Sequence, residues 1–293
     1  MNTQAAIIPR QVHVGLIGAG IGRSLTPAMH MREGEHCGLS YQYDLIDLEA
    51  RGLSVSDLPA LIDEAEAAGF AGLNITHPCK QAAVALVDEL SPDAQALRSI
   101  NTIVFRGRLR IGHNTDWWGF AESFRRGLSG VSLDRVVQLG AGGAGVAVAH
   151  AVAQMGARSI EIFDLDPSRA QALADQLQAV HSTCSFSIGG NLAEALNVAD
   201  GLVHATPTGM DGHPGLPLDA RLVADRFWVA EIVYFPIETE LVKLARRKGC
   251  RVLDGGGMAV FQAVKAFELF TGIRPDAERM MQHFDSLRSQ AIG

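Results

Sequence analysis

The most restrictive feature of this chain is Gly140-Ala-Gly-Gly-Ala-Gly145, set between the apolar run Arg135-Val-Val-Gln-Leu139 and the helix-like stretch Val146 to Met155. A G-x-G-x-x-G cluster between a strand and a helix marks a dinucleotide-binding βαβ unit. Gly140 permits the tight turn, Gly142 lets the backbone approach a pyrophosphate, and Gly145 lets helix and strand pack closely. The helix N-terminus, with Gly143 and Ala144, then turns its N–H groups toward the phosphates. Another cluster, Gly18-Ala-Gly-Ile-Gly22, also follows a strand, but Arg23 occupies its third fingerprint position and Pro27 shortens the following helix. It reads as a tight strand-to-helix turn.

The rest of the chain alternates in the same way. Val12 to Gly18, Leu39 to Asp47 and Gly72 to Ile75 read as strands, Asp57 to Gly69 and Lys80 to Leu90 as helices, and Asn101 to Phe105 with Leu109 to Ile111 as a hairpin. Arg158 to Phe163, Gly201 to Ala205, Trp228 to Val233 and Arg251 to Leu253 follow as strands, with a helix at Ser168 to Val180. The tail from Met258 reads as two helices broken at Thr271-Gly-Ile-Arg-Pro275. Strands alternating with helices call for parallel sheets covered by helices. The expected fold is α/β, with two α/β domains around a cleft, the second a Rossmann-like dinucleotide-binding domain. Residues 1–117 plus 258–293 would form the substrate domain with its C-terminal helices, and 118–257 the nucleotide domain.

Length and composition narrow the function. At 293 residues, 47% hydrophobic and 19% charged, the chain has room for two domains with substantial cores. A net charge of -7 argues against nucleic-acid or anionic-membrane partners, so any anion site must be built locally. Its 4 cysteines are isolated, which points to a reducing compartment and no structural zinc. No run reaches membrane-spanning length, and residues 1–10 lack the layout of a signal peptide. The expectation is a cytoplasmic monomer or homodimer without a metal.

Asp164, at the end of the strand after the glycine turn, falls where an adenine ribose should rest. A carboxylate there accepts hydrogen bonds from ribose hydroxyls and repels a 2′-phosphate. A like-charge pair about 4 Å apart costs about 4 kcal/mol at an effective dielectric of about 20. NAD is therefore expected over NADP. Arg169 works against that choice, since an arginine can hold a phosphate, and it reads either as a partner stacked on adenine or as a solvated helix charge.

Six segments in order resemble the shikimate/quinate dehydrogenases over nearly the whole chain. They are Ser24-Leu-Thr-Pro-Ala-Met-His30, Gly72-Leu-Asn-Ile-Thr-His-Pro-Cys-Lys80, Asn114-Thr-Asp116, Thr206-Pro-Thr-Gly-Met210, Val233-Tyr-Phe-Pro-Ile-Glu-Thr239, and Asp254-Gly-Gly-Gly-Met258 with Gln262-Ala-Val-Lys-Ala-Phe267. The resemblance implies a hydroxylated cyclohexane or cyclohexene carboxylate as substrate. Ser24 and Thr26, helped by Tyr234, would bind its carboxylate, and Thr76, Asn101 and Gln262 its ring hydroxyls. Lys80 and Asp116 would flank the hydroxyl being oxidised. Thr206, Pro207, Gly209, Met210, Val233 and Gly255 would line the nicotinamide side. Family members using NADP tend to carry Asn-Arg-Thr where this chain has Asp164-Leu-Asp166, which looks like the NAD-using branch.

Lys80 would take the hydroxyl proton as hydride leaves, with Asp116 orienting it. A lysine in water, with pKa about 10.4, is a poor base at neutral pH, so desolvation and a cationic nicotinamide must assist. Thr26 stands where many shikimate-specific members have serine and looks more like the quinate users. His204 replaces an asparagine and Glu231 an aspartate. Arg98 reads as a solvated helix end or as a cleft cation, Trp117 and Trp118 as packing, and Cys79 as inert. Two other readings remain: an NADP-linked biosynthetic shikimate dehydrogenase, and a non-catalytic metabolite sensor of the same fold.

Overall fold

The computed structural model describes residues 10–292, so the segment read for a targeting signal lies, except for Arg10, outside the described residues. These divide into two compact units, one with the residues through Ser91, Ser99–His113 and those from Ala263, the other with Pro92–Arg98 and Asn114–Gln262.

In the first unit β1 (Gln11–Gly18), α1 (Thr26–His36), β2 (Ser40–Asp47), α2 (Leu58–Ala67) and β3 (Gly72–Ile75) make two parallel crossovers. β4 (Glu89–Leu90), which had not been expected, pairs with the second strand of the hairpin. The chain then enters α3 (Pro92–Leu97), the helix implied by reading Arg98 as a helix end, which is assigned to the second unit. It returns as the hairpin β5 (Thr102–Arg106) and β6 (Leu109–His113), whose β5 runs antiparallel to β3. The sheet order is β2-β1-β3-β5-β6-β4.

The helix expected over Lys80 to Leu90 does not form. A 3-10 turn covers only Ala82–Leu86, and Val87 is extended at φ -119°, ψ 151°. Asp88 N–H bonds Arg110 O at 2.9 Å and its carboxylate accepts from Arg110 N–H at 2.7 Å. Pairing at the sheet edge takes over where β-branched Val84 and Val87 weaken a helix.

The second unit opens with α4 (Asp116–Gly127), then β7 (Arg135–Leu139), α5 (Gly143–Gln154), β8 (Ser159–Phe163), α6 (Pro167–Gln178) and β9 (Ser185–Ile188). The chain next crosses through α7 (Leu192–Val198) to β10 (Gly201–His204), β11 (Trp228–Glu231), α8 (Glu240–Arg247) and β12 (Val252–Leu253). All six described strands run parallel in the order β12-β11-β10-β7-β8-β9. The direction of winding reverses between β7 and β10, the switch point outside which such sheets bind ligands. α5 is buried from Gly145 to Ala153 between the flanking layers. β9 and α7 had not been expected either. Ser185–Ile188 is a mostly exposed edge strand, with no buried stripe to announce it.

α9 (Gly256–Thr271) and α10 (Ala277–Ile292) complete the chain. Phe267 and Phe270 of α9 enter the core of the first unit beside Val14, Leu16 and Tyr43. Gly72 makes this possible, since a Cβ there would lie 2.5 Å from the Phe270 ring and 2.3 Å from Ile103 O. α10 is fastened to α1 by Arg279, which donates to both oxygens of the buried Glu33 carboxylate at 2.8 and 2.6 Å. Among the described residues no helix is long and apolar enough to cross a membrane.

Candidate active site

The glycine turn after β7 divides its labour by position. Gly140 adopts φ 101°, and a Cβ there would come within 2.5 Å of Ala205 O. At Gly145 a Cβ would lie 2.4 Å from Gly140 O. Gly142 would meet only the Arg169 guanidinium, at 3.3 Å, and Gly143 nothing within 4 Å. The turn is thus closed where helix and strand must touch and open where a pyrophosphate would approach. Gln138, missed in the sequence, staples it from below: its buried amide donates to Gly140 O and Gly145 O, both at 2.9 Å. A polar side chain at the centre of an apolar strand was the available signal.

Asp164 reaches back over the same turn. One carboxylate oxygen accepts from Ala141 N–H at 2.7 Å and the other from Asp166 N–H at 3.0 Å. Both oxygens keep lone pairs for further donors. Asp166 caps α6 by accepting from Ser168 N–H at 2.9 Å, and bonds to Ser168 hold its carboxyl below the usual range. Leu165 beside them is fully exposed.

The first glycine cluster has a different fate. Asp47, at the end of β2, accepts from Gly20 N–H, Ile21 N–H and Glu49 N–H at 3.0, 2.9 and 3.0 Å, and from Ala50 N–H at 3.4 Å. Slight burial works against ionisation, but these backbone bonds hold the Asp47 carboxyl below its usual range. The turn is occupied by the protein's own anion, as expected of a structural turn.

At the ends of β10 and β11, Thr206, Pro207, Gly209 and Met210 form a turn in which Gly209 has φ 91° and Met210 N–H bonds Pro207 O at 3.0 Å. The Thr206 methyl faces Gly140, whose Cβ position lies 3.0 Å away. The Thr206 hydroxyl turns inward to His204 Nε2 at 2.5 Å. Val233 and Gly255 meet tightly, since a Gly255 Cβ would sit 2.5 Å from Val233 O. The expected nucleotide residues therefore gather at the carboxyl ends of β7, β8, β10 and β11.

The expected substrate residues divide between the units. Ser24, Thr26, Thr76, Lys80 and Asn101 belong to the first, and Asp116, Tyr234 and Gln262 to the second. Thr26 opens α1, and its N–H contacts Ser24 Oγ at 3.4 Å. Thr76 N–H bonds Ile17 O and its carbonyl accepts from Cys79 N–H, turning the chain into Lys80, whose carbonyl accepts from Ile100 N–H at 3.1 Å. Asn101 is buried and oriented by a chain of donors. Tyr43 O–H bonds Asn74 Oδ1 at 2.7 Å, Asn74 Nδ2 bonds Thr102 Oγ1 at 3.0 Å, and Thr102 O–H bonds Asn101 Oδ1 at 3.0 Å. Asn74 and Thr102 were missed, although a polar residue in the wholly buried strand Gly72–Ile75 was a visible anomaly.

Asp116 is the buried first residue of α4, where the helix dipole favours a carboxylate, and its N–H is held by Asn114 Oδ1 at 3.1 Å. Although 45% of Tyr234 is exposed, desolvation of its phenol and the charge of Asp116 push its pKa up. Gly119 lets α9 close on α4, since a Cβ there would lie 2.6 Å from Gln262 N. The Gln262 amide donates to Ala259 O in its own helix at 3.0 Å. Arg98 ends α3 exposed, with left-handed backbone at φ 48°. Trp117 packs edge-on against His150, and Trp118 against Phe261. Cys79 is buried, which pushes its thiol pKa up.

Two α/β units, the second with a Rossmann strand order and an open glycine turn, define a two-domain dinucleotide-binding fold. Residues 16–103 match the shikimate dehydrogenase substrate binding domain and 255–283 the shikimate 5'-dehydrogenase C-terminal domain. The chain is 52% identical over 280 residues to a shikimate dehydrogenase (NADP(+)) of Streptomyces avermitilis, covering 95% of this chain and 96% of the relative. It is 47% identical over 284 residues to a quinate/shikimate dehydrogenase (NAD(+)) of Corynebacterium efficiens, covering 94% and 98%. The structure of quinate dehydrogenase from Corynebacterium glutamicum in complex with NAD superposes with a TM-score of 0.89 at 45% identity, over 94% of this chain and 99% of that one. The chain belongs to the shikimate/quinate dehydrogenase family of oxidoreductases.

Proposed function

We propose that this chain is an NAD-dependent dehydrogenase that interconverts quinate, shikimate or both with their 3-dehydro ketones. The first unit would hold the acid and the second the dinucleotide, in a cytoplasmic enzyme. The observation that carries the choice of NAD is the Asp164 carboxylate, tied to Ala141 N–H at 2.7 Å beside the open face of the glycine turn. Anchored there, it is an acceptor for ribose hydroxyls and a repulsive neighbour for a 2′-phosphate. Gly142 and Gly143 supply the space, and the start of α5 the N–H groups, for a pyrophosphate.

Bound nicotinamide supplies the hydride acceptor. Lys80 accepts the proton from the ring hydroxyl in the oxidising direction and returns it in the reducing one. Asp116 accepts a hydrogen bond from substrate. Ser24, Thr26 and Tyr234 take the carboxylate, and Thr76, Asn101 and Gln262 the other hydroxyls. Pre-orientation of Asn101 through Tyr43, Asn74 and Thr102 supports its part, since a fixed amide loses little freedom on binding.

An NADP-linked shikimate dehydrogenase is the second reading. It is favoured by the exposed Arg169 guanidinium beside Gly142 and by the Streptomyces relative. Initial rates with NAD and NADP against quinate and shikimate test the choice. Higher kcat/KM with NAD is expected, and a clear preference for NADP overturns the reading of Asp164. Reduction of neither cofactor would favour a sensor that binds without turnover.

A further inference from the structure

His204 and Glu231 are the last residues of adjacent parallel strands and register partners across them. Both side chains have 0% exposure, and His204 Nδ1 faces the two Glu231 oxygens at 2.8 and 2.9 Å. Glu231 also accepts from Val233 N–H and Thr239 O–H, both at 3.0 Å, while Thr239 Oγ1 accepts from Val242 N–H at 3.1 Å to cap α8. With three donors converging on one carboxylate, the proton of the imidazole belongs on Nδ1. Nε2 is then an acceptor for the Thr206 hydroxyl, which in turn accepts from Thr208 N–H at 3.3 Å. The hydrogen bonds run in one unbroken line from Thr206 through His204 to Glu231.

His204 and Glu231, joined in this way, form one unit. Their outer end is Thr206, whose methyl group packs toward Gly140. We infer that His204 and Glu231 act as a coupled pair of positioning residues for the dinucleotide, fixing the Thr206–Met210 turn against the glycine turn. The pair touches no reacting atom and acts through Thr206. This inference rests on the dinucleotide reading of the second unit.

The test uses His204→Asn, Glu231→Asp, the double variant, and Thr206→Val. NADH and NADPH binding are followed by fluorescence titration, with KM for nucleotide and acid and kcat measured separately. Each single exchange is expected to weaken nucleotide Kd and KM by about tenfold, the scale of coupled neighbours, and to leave the acid's KM within about twofold. The double variant, in which a shorter amide faces a shorter carboxylate across the same register, should lose less than the two single losses combined. Thr206→Val should repeat the loss without disturbing the buried pair, which keeps the test open if a buried single exchange prevents folding. Unchanged nucleotide binding in folded single variants or in Thr206→Val, or a double variant as weak as the two losses combined, overturns the inference. Failure of the unaltered chain to bind either nucleotide instead removes the dehydrogenase reading, and this inference with it.

Discussion

At the scale of single residues, the proposed chemistry is concentrated on Lys80. Replacing it by alanine removes the proton acceptor while leaving the glycine turn of the other unit untouched. Lys80→Ala is expected to lower kcat by about two to four decades, the usual reach of acid–base catalysis, with nucleotide Kd unchanged. Steady-state rates and a nucleotide titration check this, and a near-normal kcat would remove Lys80 from the proton step. Residue types with one demanding job were legible in the chain: Gly140 and Gly145 occupy the crowded positions assigned to them. Residues that act through partners were not. The Thr206 hydroxyl bonds His204, and no spacing in the chain could announce a bond across strand ends. Gln138 and Asn74 were readable only as polar interruptions of apolar strands.

At the scale of elements, α1 carries a buried liability. Its His30 packs against Tyr41, Tyr43, Phe267 and Phe270, with Nδ1 2.9 Å from Tyr41 Oη. Burial lowers its pKa from 6.5 to about 3, although a backbone hydrogen bond with Ala263 works the other way. The folded state keeps His30 neutral while the unfolded chain takes up a proton below pH 6.5. Stability is thus unaffected well above 6.5 and falls as pH drops from there toward about 3. Between pH 7 and 5 the cost from this residue is about 2 kcal/mol. Urea unfolding at the two pH values should show His30→Phe losing about 2 kcal/mol less than the unaltered chain. Equal losses would assign the acid sensitivity elsewhere. Long periodic elements such as α2, α5 and α6 could be read from spacing because one face or a whole segment is buried. Lys80 to Leu90 misled because its apolar residues are shared between a 3-10 turn and an edge strand, and α3 is too short to show a period.

At the scale of the whole molecule, each sheet has a glycine turn where the chain reverses its winding, and in the first sheet Asp47 bonds the N–H groups of Gly20 and Ile21 in that turn. A ligand at about 100 times its Kd stabilises the state that binds it by about 2.7 kcal/mol. Scanning calorimetry with excess NAD should therefore raise the heat-absorption component of the second unit. If no component moves, the assignment of that unit to the dinucleotide fails. Much of the alternation of strands and helices was legible, but β4, β9 and α7 were not, nor was the unit to which α3 belongs. This short segment follows β4 in the chain yet is held to the second unit by Gln176, which donates to Ala96 O at 2.9 Å.

The plugged turn at Gly18–Gly22 has a consequence for ligand competition. Asp47 is tethered beside the N–H groups it bonds, so a free phosphate ester must displace an intramolecular partner to reach them. A molecule with two glycine-rich bends can in this way offer a diffusing coenzyme a single berth, because the other was filled as the polypeptide folded.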